Sequence, residues 1–369
     1  MSWSFTIARV AGTKVNIHFT FLILLAWIGL DLYQKSGAVA AAEGLVFILS
    51  LFACVLLHEF GHAFAARHFG IRTPLITLLP FGGLASIERI PKKPQQEIVI
   101  AIAGPLVNVV IVAVLWITRG LGPTWHFPDP EESLPMAERL LAINIMLILF
   151  NMLPVFPMDG GRVLRAVLAL IFPWLKATEI ASLTGQGLAI AGGILAISGP
   201  HPQLFLLLIA IFIFFAAGAE ANAARTDSAL SGLTALQAAE SEFHTVKVDD
   251  PLSVAIDYLL KSSQQNYPVV NQDGSCVGIL TQSALMSHLS QSGPNAQIQE
   301  AMQREYPHIS PEMPALAALR EVQQAKLPAA PLCSSSGQVT HWFTVDNLAD
   351  VILAQTALRQ FSPEASAIR

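Results

Sequence analysis

The chain has 369 residues, of which 53% are hydrophobic and only 13% are charged, and its mean hydropathy is +0.54. This composition excludes an ordinary soluble enzyme and indicates an integral membrane protein. The formal net charge is −5, and the chain has no basic block of the kind that binds nucleic acid. Because charged residues become frequent only after about residue 222, we predict a polytopic α-helical membrane domain followed by a soluble region.

Six hydrophobic segments predict about six transmembrane helices in the first 222 residues. The fourth segment is short and ends in Pro154, Pro157 and a glycine pair, which predicts a broken helix. The six segments cover residues 17–33, 44–66, 98–118, 140–155, 181–198 and 204–221.

Basic residues indicate the orientation of these helices. With the N-terminus in the cytoplasm, most of the lysines and arginines near the segments face inward, and only Lys35, Arg119 and Arg139 face outward. Such a positive-inside distribution predicts cytoplasmic N- and C-termini in a plasma membrane of the prokaryotic type. The inward-facing residues are Arg9, Lys14, Arg67, Arg72, Arg89, Lys92, Lys93, Arg162, Arg165, Lys176 and Arg225.

The second segment contains the sequence His58-Glu59-Phe60-Gly61-His62. On a helix, the two histidines share a face and can bind one metal ion, and Glu59 can take a proton from a water molecule there. Ionisable side chains are costly inside a membrane, so this group indicates a functional site near the cytoplasmic end of the span. The alternative is a pair of histidines that are hydrogen-bonded inside a helix bundle.

A catalytic zinc ion usually has three protein ligands, so two histidines leave such a site one ligand short. Asp159 is the candidate for the third. It follows the fourth segment, which returns towards the cytoplasm, and so reaches the depth of His62. The alternative for Asp159 is a helix cap or turn residue before the glycine pair.

These motifs resemble the site-2 protease family, which consists of intramembrane zinc metalloproteases. The resemblance covers about residues 5–221 and includes the segment from Asn151 to Gly160 as well as Ala103-Gly104-Pro105-Leu106-Val107-Asn108. It implies that one Zn²⁺ is bound by His58, His62 and Asp159. It implies also that Glu59 activates water and that Asn151 lies close to the substrate carbonyl.

Three further features of the membrane domain are candidates for substrate contacts. Asn151 could donate a hydrogen bond to a developing oxyanion, and Asn108 is a similar polar residue in the third span. For both, the alternative is a hydrogen bond to a neighbouring helix. The glycines Gly82 and Gly83 lie in residues 79–87, which we interpret as a re-entrant hairpin whose edge pairs with an unwound substrate. The alternative is an ordinary loop.

The last part of the chain is an internal repeat with a shift of 63 residues. The shift aligns Pro251 with Pro314 and Thr281 with Thr344, and it predicts equivalent helices at 252–260 and 315–322. The pattern resembles a pair of CBS domains, which are α+β regulatory modules. We predict repeats at 237–291 and 299–358 after a linker at 223–236.

CBS pairs often bind adenine nucleotides, and this resemblance makes Thr281 and Thr344 candidate phosphate or ribose contacts. The alternative is that each threonine caps the following helix. The aspartate that commonly follows three residues later in the family is replaced by Ala284 and Asn347. The pair could instead be a platform for homodimerisation or for substrate docking.

The three cysteines offer neither metal-ligand spacing nor a disulfide framework. Cys54 is predicted to pack as a small apolar residue, and Cys276 and Cys333 fit a reducing cytosolic compartment.

Together these features predict an intramembrane zinc endopeptidase that cuts a membrane-anchored protein within or near its transmembrane segment, in the lipid bilayer, with a CBS pair regulating access. One alternative is a membrane transporter or channel gated by a CBS pair. Another is an inactive homologue that binds membrane partners.

Overall fold

A computed structural model describes residues 3–361 except 81, 87, 89–90, 92, 120–134, 200–201 and 335. Contacts divide the chain into two compact units, with the boundary between residues 222 and 223. The first unit is mainly helical, and the second combines short strands with helices. This confirms the predicted fold class of an α-helical membrane domain followed by an α+β module.

Within the described residues, the first unit has six helices, and five of them correspond to predicted hydrophobic segments. The six helices are α1 (Phe19–His68), α2 (Pro94–Arg119), α3 (Met136–Asn151), α4 (Asp159–Leu168), α5 (Trp174–Ser198) and α6 (Leu204–Leu230). Within the described residues, the helices long and apolar enough to cross a membrane are α1, α2, α5 and α6.

Helix α1 contains both the first and the second predicted segments. A straight helix of 50 residues would be about 75 Å long, whereas the hydrocarbon core of a bilayer is about 30 Å thick. At Gly37 the backbone leaves the helical conformation, with φ 83° and ψ −177°. The rings of Phe21 and Phe52 then meet with their centroids 4.4 Å apart. The two halves of α1 therefore form a hairpin of two packed helices.

The predicted broken helix is present between α3 and α4. Helix α3 ends at Asn151, and turns lead to the start of α4 at Asp159. The glycine pair makes this arrangement fit, because a Cβ atom on Gly160 would overlap the carbonyl oxygens of Met152 and Leu153. The first turn of α4 thus packs directly against the turn that precedes it, which fixes the position of Asp159.

A four-stranded sheet accompanies these helices. Its strands are β1 (Ser4–Val10), β2 (Thr13–His18), β3 (Leu75–Leu79) and β4 (Gly82–Ser86), in that spatial order. Strands β2 and β3 are parallel, and the other two pairs are antiparallel. Strands β3 and β4 form the hairpin predicted for residues 79–87. The first span was predicted to start at residue 17, which is wrong because residue 17 pairs with β3 as part of β2.

The second unit contains two copies of one supersecondary unit. The first copy comprises β5 (Val246–Lys247), α7 (Leu252–Lys261), β6 (Tyr267–Val270), β7 (Cys276–Leu280) and α8 (Gln282–Ser292). After the short helix α9 (Ile298–Ala301), the second copy comprises α10 (Ala315–Gln324), β8 (Ala329–Cys333), β9 (Val339–Thr344) and α11 (Val345–Phe361). Strands β5, β6 and β7 form one sheet, and β8 and β9 form another.

The shift of 63 residues relates these two copies closely. It aligns the residue numbers of α7 with those of α10 from the first residue to the last. It also aligns Gly274 with Gly337, whose φ angles of 82° and 81° lie in the left-handed region that favours glycine. Both repeats therefore use the same glycine turn between their two main strands.

The predicted linker at 223–236 is partly helical. Helix α6 continues beyond the predicted end of the sixth segment and stops at Leu230, which is fully buried in the core of the second unit. The hydrophobicity of the segment falls after residue 221, but the run of alanines and polar residues that follows still favours a helix.

Candidate metal centre

Three of the predicted ligands come together in the membrane unit. Oδ2 of Asp159 lies 3.2 Å from Nε2 of His58 and 3.2 Å from Nε2 of His62, and the two Nε2 atoms are 3.1 Å apart. The three residues are only 4–7% exposed. Helix α1 supplies both histidines from one face, and the first residue of α4 supplies the aspartate.

These distances fit a zinc ion. Around a tetrahedral zinc ion with bonds of about 2.0–2.1 Å, neighbouring ligand atoms lie about 3.3 Å apart. The three atoms at the site are separated by 3.1–3.2 Å and converge on one point. Two imidazoles and one carboxylate are also the kind of donor set that catalytic zinc uses, with a fourth position left for water.

Hydrogen bonds behind the rings direct both Nε2 atoms into the site. Nδ1 of His58 donates to Oδ1 of Asn108 at 2.5 Å, and Nδ1 of His62 donates to the carbonyl oxygen of Ile100 at 2.7 Å. Since both acceptors are oxygens without a proton, each Nδ1 carries the ring hydrogen and each Nε2 keeps its lone pair. This is the tautomer that a metal ligand requires.

Asn108 is itself held by a third helix. Its Nδ2 donates to Oδ1 of Asn144 at 2.8 Å, and Nδ2 of Asn144 donates to the carbonyl oxygen of Leu140 at 2.8 Å. Asn108 and Asn144 are both fully buried. The amide of Asn108 therefore connects α1, α2 and α3, which agrees with the interhelical alternative for this residue.

Glycines let α2 approach the histidines closely. A Cβ atom on Gly104 would overlap Nε2 of His62 and would lie 2.8 Å from Nε2 of His58. One on Gly61 would lie 2.6 Å from the carbonyl oxygen of Ala103. Any larger residue at position 104 would occupy the space where the ligand atoms meet.

Glu59 lies on the side of the site that faces the β3–β4 hairpin. It is half-buried, and among the described residues its carboxylate has no hydrogen-bond partner. A Cβ atom on Gly83 would lie 2.6 Å from Cγ of Glu59 and 3.2 Å from Oε1. The backbone of β4 therefore lies against the glutamate, next to the metal ligands.

Asn151 occupies the last turn of α3. Asn144 and Asn151 are two helical turns apart and share one face of α3. Because Asn144 contacts Asn108 of α2, Asn151 lies on the side of α3 that faces α2. Its side chain is half-buried and makes no hydrogen bond within the part of the chain that the structure describes. It is available for an added ligand, unlike Asn108.

A buried ion-pair network holds α4, the helix that begins with Asp159. Arg165 of α4 is 1% exposed, and its Nε donates to Oε1 of Glu97 on α2 at 2.8 Å. Its Nη1 donates to Oε1 of Glu220 on α6 at 2.6 Å. The guanidinium also lies over the rings of Phe156 and Trp174. Removing one partner of such a buried pair typically costs about 3–5 kcal/mol, so this network stabilises the position of α4. These contacts were not predicted from the sequence.

The two candidate threonines of the second unit act as helix caps. Oγ1 of Thr281 accepts from the backbone N–H of Ala284, and Oγ1 of Thr344 accepts from that of Asn347. Thr344 also donates to Oε1 of Glu240 at 3.0 Å. These contacts agree with the capping alternative.

A cleft of about 620 Å³ lies beside Thr344. Asn347, which replaces the aspartate common in the family, donates from Nδ2 to the carbonyl oxygen of Ala238 at 3.0 Å. The charged side chains that line the cleft are acidic, so the cleft repels phosphate groups. They are Glu240, Glu242, Asp346 and Asp350.

Family profiles match both units of the chain. The profile of Peptidase family M50 matches residues 46–123, which include both histidines and Asn108, and the profile of the CBS domain matches residues 237–291.

Relatives that match about three quarters of this chain extend this likeness. The zinc metalloprotease MJ0392 of Methanocaldococcus jannaschii is 34% identical over 281 residues, which cover 76% of this chain and 78% of the relative. Rip3 of Mycobacterium tuberculosis is 30% identical over 301 residues, which cover 74% of this chain and 73% of the relative. The solved site-2 protease from M. jannaschii is 34% identical and covers 59% of this chain and 95% of its own, with a TM-score of 0.43.

Proposed function

This chain belongs to the site-2 protease family, the zinc metalloproteases of Peptidase family M50, and we propose that it cuts membrane-anchored proteins within or near a transmembrane segment. The observation that carries the proposal is the convergence of Asp159 with His58 and His62, beside Glu59, on α1, a helix apolar enough to cross a membrane. A site in this position meets peptide bonds that lie in or next to the bilayer.

The residues divide the work of peptide hydrolysis. His58, His62 and Asp159 would hold a zinc ion, which would lower the pKa of a bound water to about 7 and polarise the peptide carbonyl. Glu59, whose carboxylate has no partner among the described residues, takes the proton of the attacking water and delivers it to the leaving amine. The Nδ2 group of Asn151 donates a hydrogen bond to the oxygen of the attacked carbonyl.

The free edge of strand β4 is the proposed substrate platform. A helical peptide bond is shielded by its own hydrogen bonds, so the substrate must be extended before it is cut. Within the described residues, strand β4 pairs with β3 on one side only, and its Gly83 lies against Glu59. An unwound substrate that pairs with this edge places its backbone beside the glutamate. The absence of a side chain on Gly83 leaves the space for that approach.

We place the metal site near the cytoplasmic side and both termini in the cytoplasm. Support comes from the basic residues, which concentrate on the loops that this orientation turns inward. The same orientation makes the second unit cytoplasmic. The repeats at 237–291 and 299–358 then regulate access of substrate or activity, as a homodimerisation or docking module. The acidic cleft beside Thr344 favours this role over the binding of a nucleotide there.

The proposal is tested by sequencing the new N-termini that the protein generates. The purified full chain is reconstituted into liposomes together with single-pass membrane proteins extracted from host membranes. A Glu59→Gln variant that retains its zinc serves as the control, because it keeps the ligands and loses the base. We expect N-termini within or next to transmembrane segments to appear with the wild type and to fall by about 10²–10⁴-fold with the variant. Glu59-dependent termini that lie only in soluble loops would contradict intramembrane cleavage.

A further inference from the structure

A cleft at the end of α1 is positively charged. The turn between β1 and β2, the last turns of α1 and residues 70–74 enclose it. Its volume of about 620 Å³ lies within the range of about 300–1,000 Å³ that is usual for ligand pockets. The charged side chains that line it are Arg67 and Arg72, and among the described residues no acidic side chain lines it. We call it the arginine cleft.

The way in which α1 ends brings the two arginines together. The N–H of Ile71 donates to the carbonyl oxygen of Ala66 at 3.0 Å, and that of Gly70 donates to the carbonyl oxygen of Arg67 at 2.9 Å. With φ 73° at Gly70, this is a Schellman motif, which reverses the chain directly after the helix. Arg72 therefore returns to the cleft that Arg67 lines. Unpaired carbonyls at a helix C-terminus would disfavour an anion, but these two carbonyls are already hydrogen-bonded.

Both arginines retain free donors. Nη1 of Arg67 donates to the carbonyl oxygen of Ala11 at 2.7 Å, which holds the side chain against the β1–β2 turn. Among the described residues, the other nitrogens of Arg67 and the whole guanidinium of Arg72 have no acceptor. Glu88 is bonded to this segment through its backbone N–H, which donates to the carbonyl oxygen of Arg72 at 3.0 Å. No ion pair joins the side chains of these two described residues. The positive charge of the cleft is therefore not neutralised by Glu88.

Two further features of the cleft favour an anion. Thr73 lines the cleft and is only 6% exposed, and its Oγ1 has no hydrogen-bond partner among the described residues. Buried hydroxyls are normally hydrogen-bonded, so this one is available to an acceptor. The β1–β2 hairpin also places Arg9 directly opposite Lys14, where like charges repel each other. A bound anion would reduce this repulsion.

The position of the cleft favours a lipid over a soluble anion. Helix α1 is apolar enough to cross a membrane, and its last turn carries Arg67 and His68. Phe64 lines the cleft, and Leu57 lies two turns earlier on the same face of the helix. These two side chains are 51% and 50% exposed. The acyl chains of a lipid can therefore lie along Leu57 and Phe64 while its head group enters the cleft.

We propose that the arginine cleft binds the phosphate group of an anionic phospholipid. Arg67 and Arg72 donate to the phosphate oxygens, for which the planar guanidinium group is well suited, and the hydroxyl of Thr73 is a further donor. A head group with its own ammonium charge would be repelled by the two arginines, so a zwitterionic lipid binds less well. In the proposed orientation the cleft faces the cytoplasmic leaflet, which contains anionic lipids. This inference does not depend on the proposed proteolysis.

Native mass spectrometry of the purified full chain in detergent tests the inference by counting bound lipids. Phosphatidylglycerol and phosphatidylcholine with the same acyl chains are titrated separately. We expect one phosphatidylglycerol to bind saturably to each chain, and phosphatidylcholine to bind more weakly. Arg67→Gln and Arg72→Gln should each weaken the binding of phosphatidylglycerol about fivefold, and the double variant about 25-fold, as expected for cations near a lipid surface.

Lys35→Gln is the matched control. It removes the same charge beside the kink at Gly37, at the other end of the half of α1 that carries Arg67, and Lys35 does not line the cleft. It should bind phosphatidylglycerol as the wild type does. Arg72→Gln distinguishes loss of the ligand from loss of the fold, because this side chain makes no hydrogen bond within the described residues. Circular dichroism verifies that each variant is folded.

Three results would overturn the inference. The first is equal binding of phosphatidylglycerol by the wild type and the double arginine variant. The second is equal binding of the two lipids by the wild type. The third is displacement of phosphatidylglycerol by an equimolar amount of inorganic phosphate, because the ligand would then be a soluble anion that needs no contact with Leu57 or Phe64.

Discussion

The metal centre of the membrane unit and the acidic cleft of the second unit use polar side chains in opposite ways. At the metal centre, Asn108 and the carbonyl of Ile100 satisfy the rear of each histidine ring, and the ligand atoms are left to converge. In the cleft, the side chain of Thr344 is bonded to Glu240, and its polar atoms face other residues of the fold. The metal centre leaves ligand atoms available to an ion, whereas in the cleft Thr344 uses its hydrogen bonds within the protein.

The difference follows from the surroundings of each region. A polar group inside a membrane is costly, so it remains only where partners satisfy it and a function needs it. In the second unit, a threonine that caps a helix is useful for stability alone, and the cap contributes about 1 kcal/mol. A motif residue therefore indicates function more strongly in the membrane unit than in the CBS repeats.

The largest loss of zinc and activity is expected from a substitution at Gly104. The contrast between the metal centre and the cleft of the second unit depends on the open space between the ligand atoms at this position. Gly104→Ala places a methyl group where the Nε2 atoms of His58 and His62 converge, so we expect zinc and activity to be lost together. The matched control is Gly187→Ala on α5, because a Cβ atom there has no neighbour within 4 Å. Metal analysis of both purified variants is the measurement. A Gly104→Ala protein with a full complement of zinc would contradict the geometry.

A substitution of Asn151 is expected to affect catalysis without affecting metal binding. If its amide donates to the attacked carbonyl, Asn151→Ala should lower kcat by about 10²–10³-fold. The zinc content should stay the same, because among the described residues Asn151 makes no hydrogen bond to a metal ligand. Steady-state kinetics and metal analysis on one preparation give both values. Unchanged kcat would remove Asn151 from the catalytic group.

Asn108 is expected to show the converse pattern. Asn108→Ala removes the acceptor of the His58 ring and leaves Oδ1 of Asn144 without its donor. Loss of such a contact behind a metal ligand weakens metal affinity by about 10–100-fold. Competition with a zinc chelator measures the change, and Asn151→Ala is the matched control. An unaltered affinity would mean that the histidine needs no support from α2.

Thr344 should give the smallest effect, on stability. Thr344→Val removes the cap of α11 and the contact with Glu240, so the second unit should lose about 1 kcal/mol of unfolding free energy. Zinc content should not change. Denaturant unfolding of the full chain, compared with the exposed Ser290→Ala, measures the difference. A loss of nucleotide binding by Thr344→Val without a loss of stability would reverse the assignment of this cleft.

Much of the fold could be predicted because hydrophobic length, proline position and the 63-residue repeat are local properties of the sequence. The broken helix before Asp159 and the equivalence of α7 and α10 followed from such signals. Strands β1 and β2 were missed because they form a sheet with β3, which is distant in the chain.

The same distinction applies to the site. The spacing of His58 and His62 on one helix face identified two ligands directly. The roles of Gly104, Gly83 and the Asn108–Asn144 pair arise from close approaches between elements, which no spacing along one helix reveals.

The central claim is that one zinc ion is bound by two residues of α1 and one of α4, with a separate base beside them. Metal analysis of the full chain, purified without chelators, tests it directly in the wild type, His58→Ala, Asp159→Ala and Glu59→Gln. We expect about one zinc per chain in the wild type and in Glu59→Gln, and a sharp loss in the other two. Full zinc content in Asp159→Ala, or loss of zinc in Glu59→Gln, would contradict the assignment.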